Sequence, residues 1–189
     1  MLQFSNGAIV EQMKSREITK ISLLVATGVI LPSLFHLSGI PGAVFLPIHL
    51  SPLLGGFFLS SGSAAFLLGF ILPLLNFFIT GMPPFPNFLV MMAELGGYGI
   101  LIFFLYRKRR WGIFPSLFAS LLGGRLISIL GNWVLIVLVL GKKFSFLPVL
   151  NTLFVISLPG IAIQIVLIPL IVKGVENFAQ RRTANTGNF

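Results

Sequence analysis

The chain has 189 residues, 56% of them hydrophobic and 9% charged, with a mean hydropathy of +1.02 and a formal net charge of +9. Soluble domains carry about 25% charged residues, so there is too little polar surface to face water on all sides, and a soluble enzyme is excluded. Cysteine is absent, which removes disulfides, thiolate metal sites and thiol nucleophiles.

At about 20 residues per span, the length suits an all-α, polytopic bundle of six transmembrane helices. Residues 1–17 are polar and read as a cytoplasmic lead-in, with room for a short amphipathic helix. The first span is expected over Ile18 to Leu37; no small-residue cleavage site follows it, so it reads as retained rather than as a signal peptide. Ser38-Gly39-Ile40-Pro41-Gly42 ends it, because Gly and Pro are the strongest local breakers. A second span is expected from Val44 to Leu59, with Pro47 and Pro52 tolerated where neighbouring helices re-satisfy the freed carbonyls. Ser60-Ser61-Gly62-Ser63 is a tight turn, and the third span runs from Ala64 to Thr80.

Gly81-Met82-Pro83-Pro84-Phe85-Pro86-Asn87 cannot continue a helix. The fourth span covers Phe88 to Tyr106 and stops at Arg107-Lys108-Arg109-Arg110. A long apolar stretch from Ile113 to Leu140 makes the fifth, interrupted by Gly123-Gly124-Arg125. A loop through Lys142, Lys143 and Pro148 leads to the sixth span, Leu153 to Val172, bent at Pro159 and Pro169. Residues 174–189 are expected to be a disordered cytoplasmic tail, leaving residues 18–173 as the membrane domain.

Cytoplasmic loops collect Lys and Arg. With both termini inside, ten of the 13 basic residues fall on the cytoplasmic side: Lys14, Arg16, Lys20, Arg107 to Arg110, Lys173, Arg181 and Arg182. Three separate clusters agree on this orientation. A basic protein can also bind nucleic acid, but that reading leaves the apolar runs unexplained, so the partner expected is the bilayer.

Glu94 and Arg125 are the two charges placed inside the hydrocarbon. A charged residue at a helix centre costs about 2.5–3.5 kcal/mol on insertion scales, so such residues face the bundle interior and pair. They fit an ion pair pinning the fourth span to the fifth, a contact to a polar ligand, or both. At about 1.5 Å per residue, Glu94 and His49 lie some 10 Å below the outer surface. Asn76 and Asn132 also fall in the outer half, and Arg125 sits nearer the midplane. This gathering fits a pocket open to the outside with apolar walls and few polar groups. Each residue also has a plain structural reading: a hydrogen bond between helices for His49, Asn132 and Gln164, and a brace at the Pro73 bend for Asn76. Tyr98 and Trp133 either line the same space or face lipid. Met82, Pro83, Pro84 and Phe85 belong to a loop whose prolines reduce the entropy lost on ordering, which suits a lid or a merely rigid turn. Small residues at Ser22 and Ala26, and at the glycines of the second, fourth and fifth spans, allow close helix approach.

The sequence contains no Walker A loop, no His-Glu-x-x-His zinc motif and no Gly-x-Ser-x-Gly elbow. Neither enzymatic activity nor a metal or cofactor is expected.

Pro47-Ile48-His49-Leu50-Ser51-Pro52-Leu53-Leu54-Gly55-Gly56, the Gly81-Met82-Pro83-Pro84 loop and Met92-Ala93-Glu94-Leu95-Gly96-Gly97-Tyr98-Gly99 resemble the substrate-binding S component of energy-coupling factor (ECF) transporters. The resemblance implies a vitamin-binding membrane protein of the prokaryotic inner membrane. Its partners would be a transmembrane coupling subunit and two cytoplasmic ATPases. It makes His49, Asn76, Glu94 and Asn132 candidate ligand contacts, and the residue reading above adds Tyr98 and Arg125 to them. Family members carry Ala-x-x-x-Ala on the first helix for docking; here Ser22-Leu23-Leu24-Val25-Ala26 keeps the spacing with serine in the first place. An anionic vitamin such as pantothenate would suit Arg125 if Glu94 left it free. The alternative is a structural or assembly protein in which Glu94 and Arg125 serve only as a brace.

Overall fold

The computed structural model describes the backbone of residues 2–186 and the side chains of residues 14–182. Among these residues every regular element is helical. Helix α1 is Leu2–Leu37, α2 is Gly42–Phe45, and a single 3-10 turn, Pro47–His49, leads into α3, Leu50–Phe58. Next come α4, Gly62–Thr80, and α5, Asn87–Ile102, which runs on as a π turn to Lys108. Helix α6, Ile113–Trp133, likewise continues as a π turn to Val139. The short α7, Phe146–Leu150, extends through Ile156, and α8 is Leu158–Thr186.

Five of these helices are long and apolar enough to cross a membrane: Lys14–Leu37, Gly62–Thr80, Asn87–Lys108, Ile113–Val139 and Leu158–Arg182. The expected second span is instead in pieces. Pro47 has no N–H to donate, and Leu46 before it adopts a left-handed conformation (φ 53°, ψ 45°) that L-residues rarely take. The Leu46 carbonyl is held there by Nε2 of Gln164, 3.3 Å away on α8. What remains helical, α3, has nine residues, about 13 Å of rise against about 30 Å of hydrocarbon.

Three further boundaries differ from the sequence-based expectation. Residues 2–17 join α1 without a break, so the lead-in is the first span's own helix. The 146–156 stretch is a separate short apolar helix, and α8 begins at Leu158 rather than Leu153. The Ser157 hydroxyl caps Leu153 O at 2.5 Å there, and Pro159 can start a helix but not continue one. Finally, the tail is helical through Thr186: Tyr106 donates its hydroxyl to Glu176 and ties this extension to the end of α5. Residues 187–189 and Met1 lie outside the described backbone.

Helix α5 is the centre of the bundle. In its most apolar window 56% of residues are buried, against 11% for α1 at the periphery. Glycine makes this possible. A Cβ at Gly69 of α4 would stand 2.1 Å from the Leu95 carbonyl oxygen, and one at Gly99 of α5 would stand 2.2 Å from that of Ala65. The two backbones therefore touch directly. In a bilayer, where lipid tails are as apolar as leucine, such close packing is a main source of helix association.

Polar contacts gather the start of the apolar part of α1 (Lys14–Leu37), the end of α3, the end of α5 and the later part of α8 at one end of the bundle. Glu17 accepts from the Ser60 N–H (2.6 Å) and hydroxyl (2.8 Å). Lys20 donates to Phe58 O (3.2 Å), and Arg107 donates to Phe57 O (3.3 Å) and Phe58 O (3.2 Å). These cations cap carbonyls that the short α3 leaves unpaired at its C-terminus. The opposite end carries the connections over residues 38–46, 81–86 and 140–157.

Candidate functional site

A cavity of about 760 Å³ opens at that opposite end. Its floor is built by four elements that meet around α5. The turn Pro47–His49 presents His49, α4 presents Asn76, α5 presents Glu94, and α6 presents Arg125, Ser128 and Asn132. The walls are mostly apolar, with Pro32 of α1, Leu46, Ile48, Val90, Met91 and Leu153 among them, and Met82, Pro83 and Pro84 stand at the mouth.

At the centre of the floor, Arg125 Nη1 donates to Glu94 Oε1 at 2.9 Å, and each of the two side chains is 4% exposed. The same carboxylate oxygen accepts the Tyr98 hydroxyl at 2.8 Å, and Arg125 Nη2 reaches the Ser157 hydroxyl at 3.2 Å. The ion pair thus links α5 to α6 and, through Ser157, to the start of α8. Tyr98 lies under this layer, fully buried, with its ring where a Cβ on Gly124 would come within 2.2 Å. Only a glycine at 124 leaves it room.

His49 stands beside the pair with its Nε2 3.9 Å from Glu94 Oε1, beyond hydrogen-bond range. Both of its ring nitrogens are buried without a partner. Asn76 uses its amide N–H groups on Gly28 O and Leu72 O, both at 2.9 Å, which braces α4 against α1 and leaves Oδ1 unpartnered. Asn132 donates to Ser128 O of its own helix at 2.8 Å, so it does not link two helices, whereas Gln164 ties α8 to the break at Leu46. Buried polar atoms without partners each cost about 1–3 kcal/mol. Four of the seven such atoms among the described residues belong to cavity-lining side chains, His49, Asn76 and Arg125; the others are Ser116 Oγ, Ser120 Oγ and Gln164 Oε1.

The residues singled out from the sequence therefore divide cleanly. His49, Asn76, Glu94, Arg125 and Asn132 line one cavity, and Met82, Pro83 and Pro84 flank its entrance. Tyr98 supports the floor from below without lining it. Phe85 does not line the cavity; it is 69% exposed, its ring 6.2 Å from that of Phe88. Ser22 and Ala26 are on the exposed side of α1, away from the cavity. Trp133 is 41% exposed and faces outward. The sequence reading missed Ser128, Ser157, His36 and Thr152, which also line the space. Ser128 was within reach, since it lies three residues from Arg125 and four from Asn132, on the same helical face. Among the described residues no three His, Asp or Glu side chains converge as a metal site.

Residues 16–173 match the family model described as the ECF transporter substrate-specific component. No curated protein matches the chain, and no solved structure does. A multi-pass helical protein with a polar-floored cavity, matched over 158 of its residues (16 to 173), belongs to the substrate-specific component family of ECF transporters.

Proposed function

We propose that this chain captures a water-soluble vitamin outside the cell and delivers it to an ATP-driven import module. The module consists of a transmembrane coupling subunit and two cytoplasmic ATPases; the chain itself is non-catalytic. The observation that carries this reading is the convergence of His49, Asn76, Glu94, Arg125 and Asn132 on one cavity. That cavity opens at the end of the bundle opposite Lys20 and Arg107. Because basic clusters mark the cytoplasmic side, the mouth faces outward. Both ends of the chain are then cytoplasmic, with the broken 42–58 segment as the second of six passages through a prokaryotic plasma membrane.

Within this reading Met82, Pro83 and Pro84 act as the lid. Ser22 and Ala26 offer the coupling subunit a small-residue surface on the least enclosed of the five long helices. Pantothenate enters as a candidate through Arg125, although Glu94 already occupies that guanidinium.

Thermal unfolding of the purified chain against a full vitamin panel tests the proposal. A ligand at 100 times its Kd adds about 2.7 kcal/mol, and a folded sample that no vitamin stabilises would refute it. Ser22→Leu with Ala26→Leu should leave that stabilisation intact while reducing recovery of the ATPase module on pulldown.

A further inference from the structure

The polar inventory of the floor narrows the class of ligand. Glu94 is the carboxylate and Arg125 the guanidinium lining the cavity, and the imidazoles of His36 and His49 line it too. Glu94 and Arg125 face each other at 2.9 Å, so their charges cancel inside the site. Both terminal nitrogens of Arg125 have partners, Glu94 and Ser157; of its three nitrogens, Nε alone has none. A carboxylate or phosphate prefers two parallel N–H donors of one guanidinium. The edge formed by Nε and Nη2 could supply them in place of Ser157, but an anion there would share the single cation Arg125 with Glu94 and leave a net negative charge in a buried site.

The unpartnered atoms tell the other half. On the cavity-lining side chains they are both ring nitrogens of His49, Oδ1 of Asn76 and Nε of Arg125. These atoms are buried just beneath the cavity surface; a neutral imidazole supplies one donor and one acceptor, so a small turn of the side chains toward a ligand brings it donors from His49 and Arg125 and acceptors from His49 and Asn76. Above them stand apolar and proline-rich walls.

Resting on the vitamin-binding reading above, we infer that this cavity selects a ligand whose buried end is uncharged: a heterocycle or amide that both donates and accepts hydrogen bonds, in preference to a carboxylate or phosphate. Glu94 is then the residue that sets charge selectivity, by occupying Arg125.

Isothermal titration calorimetry on the full chain in nanodiscs tests this with pairs that differ mainly in the charged group. Nicotinamide is compared with nicotinate, pantothenol with pantothenate, and riboflavin with flavin mononucleotide. For any pair that binds, the uncharged member should bind about tenfold tighter or more. Equal affinities, or a tighter anionic member, would overturn the inference while leaving the vitamin-binding reading intact. Binding of no member of any pair, together with a negative vitamin panel, would overturn both. Glu94→Gln keeps the shape of the side chain and frees the positive charge of Arg125. It should shift the ratio of affinities toward the anionic member by about tenfold or more, and an unchanged ratio in a folded variant would overturn the assignment to Glu94. The wild-type comparison stands even if that variant fails to fold.

Discussion

Arg125→Met removes the cation from the buried pair and leaves the Glu94 carboxylate with the Tyr98 hydroxyl. Two unit charges about 4 Å apart interact by about 4 kcal/mol at an effective dielectric constant of 20. Stripping one partner from a buried pair costs about 3–5 kcal/mol, because the remaining charge is stranded. The 2.9 Å separation and the 4% exposure of both side chains place this pair in that class. The single variant should therefore lose about 4 kcal/mol, a large fraction of the roughly 5–15 kcal/mol that holds a typical domain together. The double variant, Glu94→Leu with Arg125→Met, removes both charges at similar volume and should recover most of that loss. Reversible unfolding in mixed micelles, followed by steric trapping or by tryptophan fluorescence, measures both. A single variant that loses less than about 1 kcal/mol would refute the reasoning, as would a double variant no more stable than the single. Ligand titration on the double variant then separates brace from pocket. A pair that serves only as a brace leaves binding unchanged, whereas a pair that shapes the pocket takes affinity with it.

Gly69→Ala drives a methyl group against the Leu95 carbonyl, 2.1 Å away, and should lower the yield of folded protein sharply; Gly174→Ala meets nothing within 4 Å and should be neutral or gain up to about 1 kcal/mol. Gly124→Ala pushes the Tyr98 ring out from under Glu94, so ligand affinity should fall by about tenfold, read by calorimetry. Tyr106→Phe removes the donor to Glu176 and should speed amide hydrogen exchange in α8 beyond Lys173 while leaving ligand affinity unchanged.

The long helices were legible because a bilayer demands long apolar runs, and Gly, Pro and basic clusters mark where those runs end. The break at Leu46 was not. Its left-handed backbone is held by Gln164, 118 residues later in the chain, and no local pattern announces such a partner. The same holds for the helical tail, where the Tyr106 hydroxyl reaches Glu176 from 70 residues earlier. The start of α8 depends on Ser157, which serves at once as a cap for Leu153 and a partner for Arg125.

The site was easier to foresee than the break, for a physical reason. His49, Asn76, Glu94 and Arg125 are too costly to expose to lipid, so their presence in apolar runs already directs them inward. Serine carries no such signal. It can satisfy its hydroxyl on its own helix, as Ser33 does on Val29 O at 2.7 Å, and so it fits lipid and pocket alike. Tyr98 and Phe85 show the remaining limit. Aromatic rings are at home in any apolar setting, and only packing distinguishes one lodged beneath Glu94 from one turned toward the surroundings.

The interrupted 42–58 segment also bears on how the protein is made. Nine helical residues behind a proline turn cannot hold themselves across the hydrocarbon, and backbone that is not helical is tolerated at that depth only when protein shields it. Under the six-passage reading proposed above, this stretch settles only as α4, α5 and finally α8, with Gln164, come alongside. Leu46, Ile48 and His49 of this stretch line the cavity together with Leu153 and Ser157 just ahead of α8, so the pocket is incomplete before the last helix is in place.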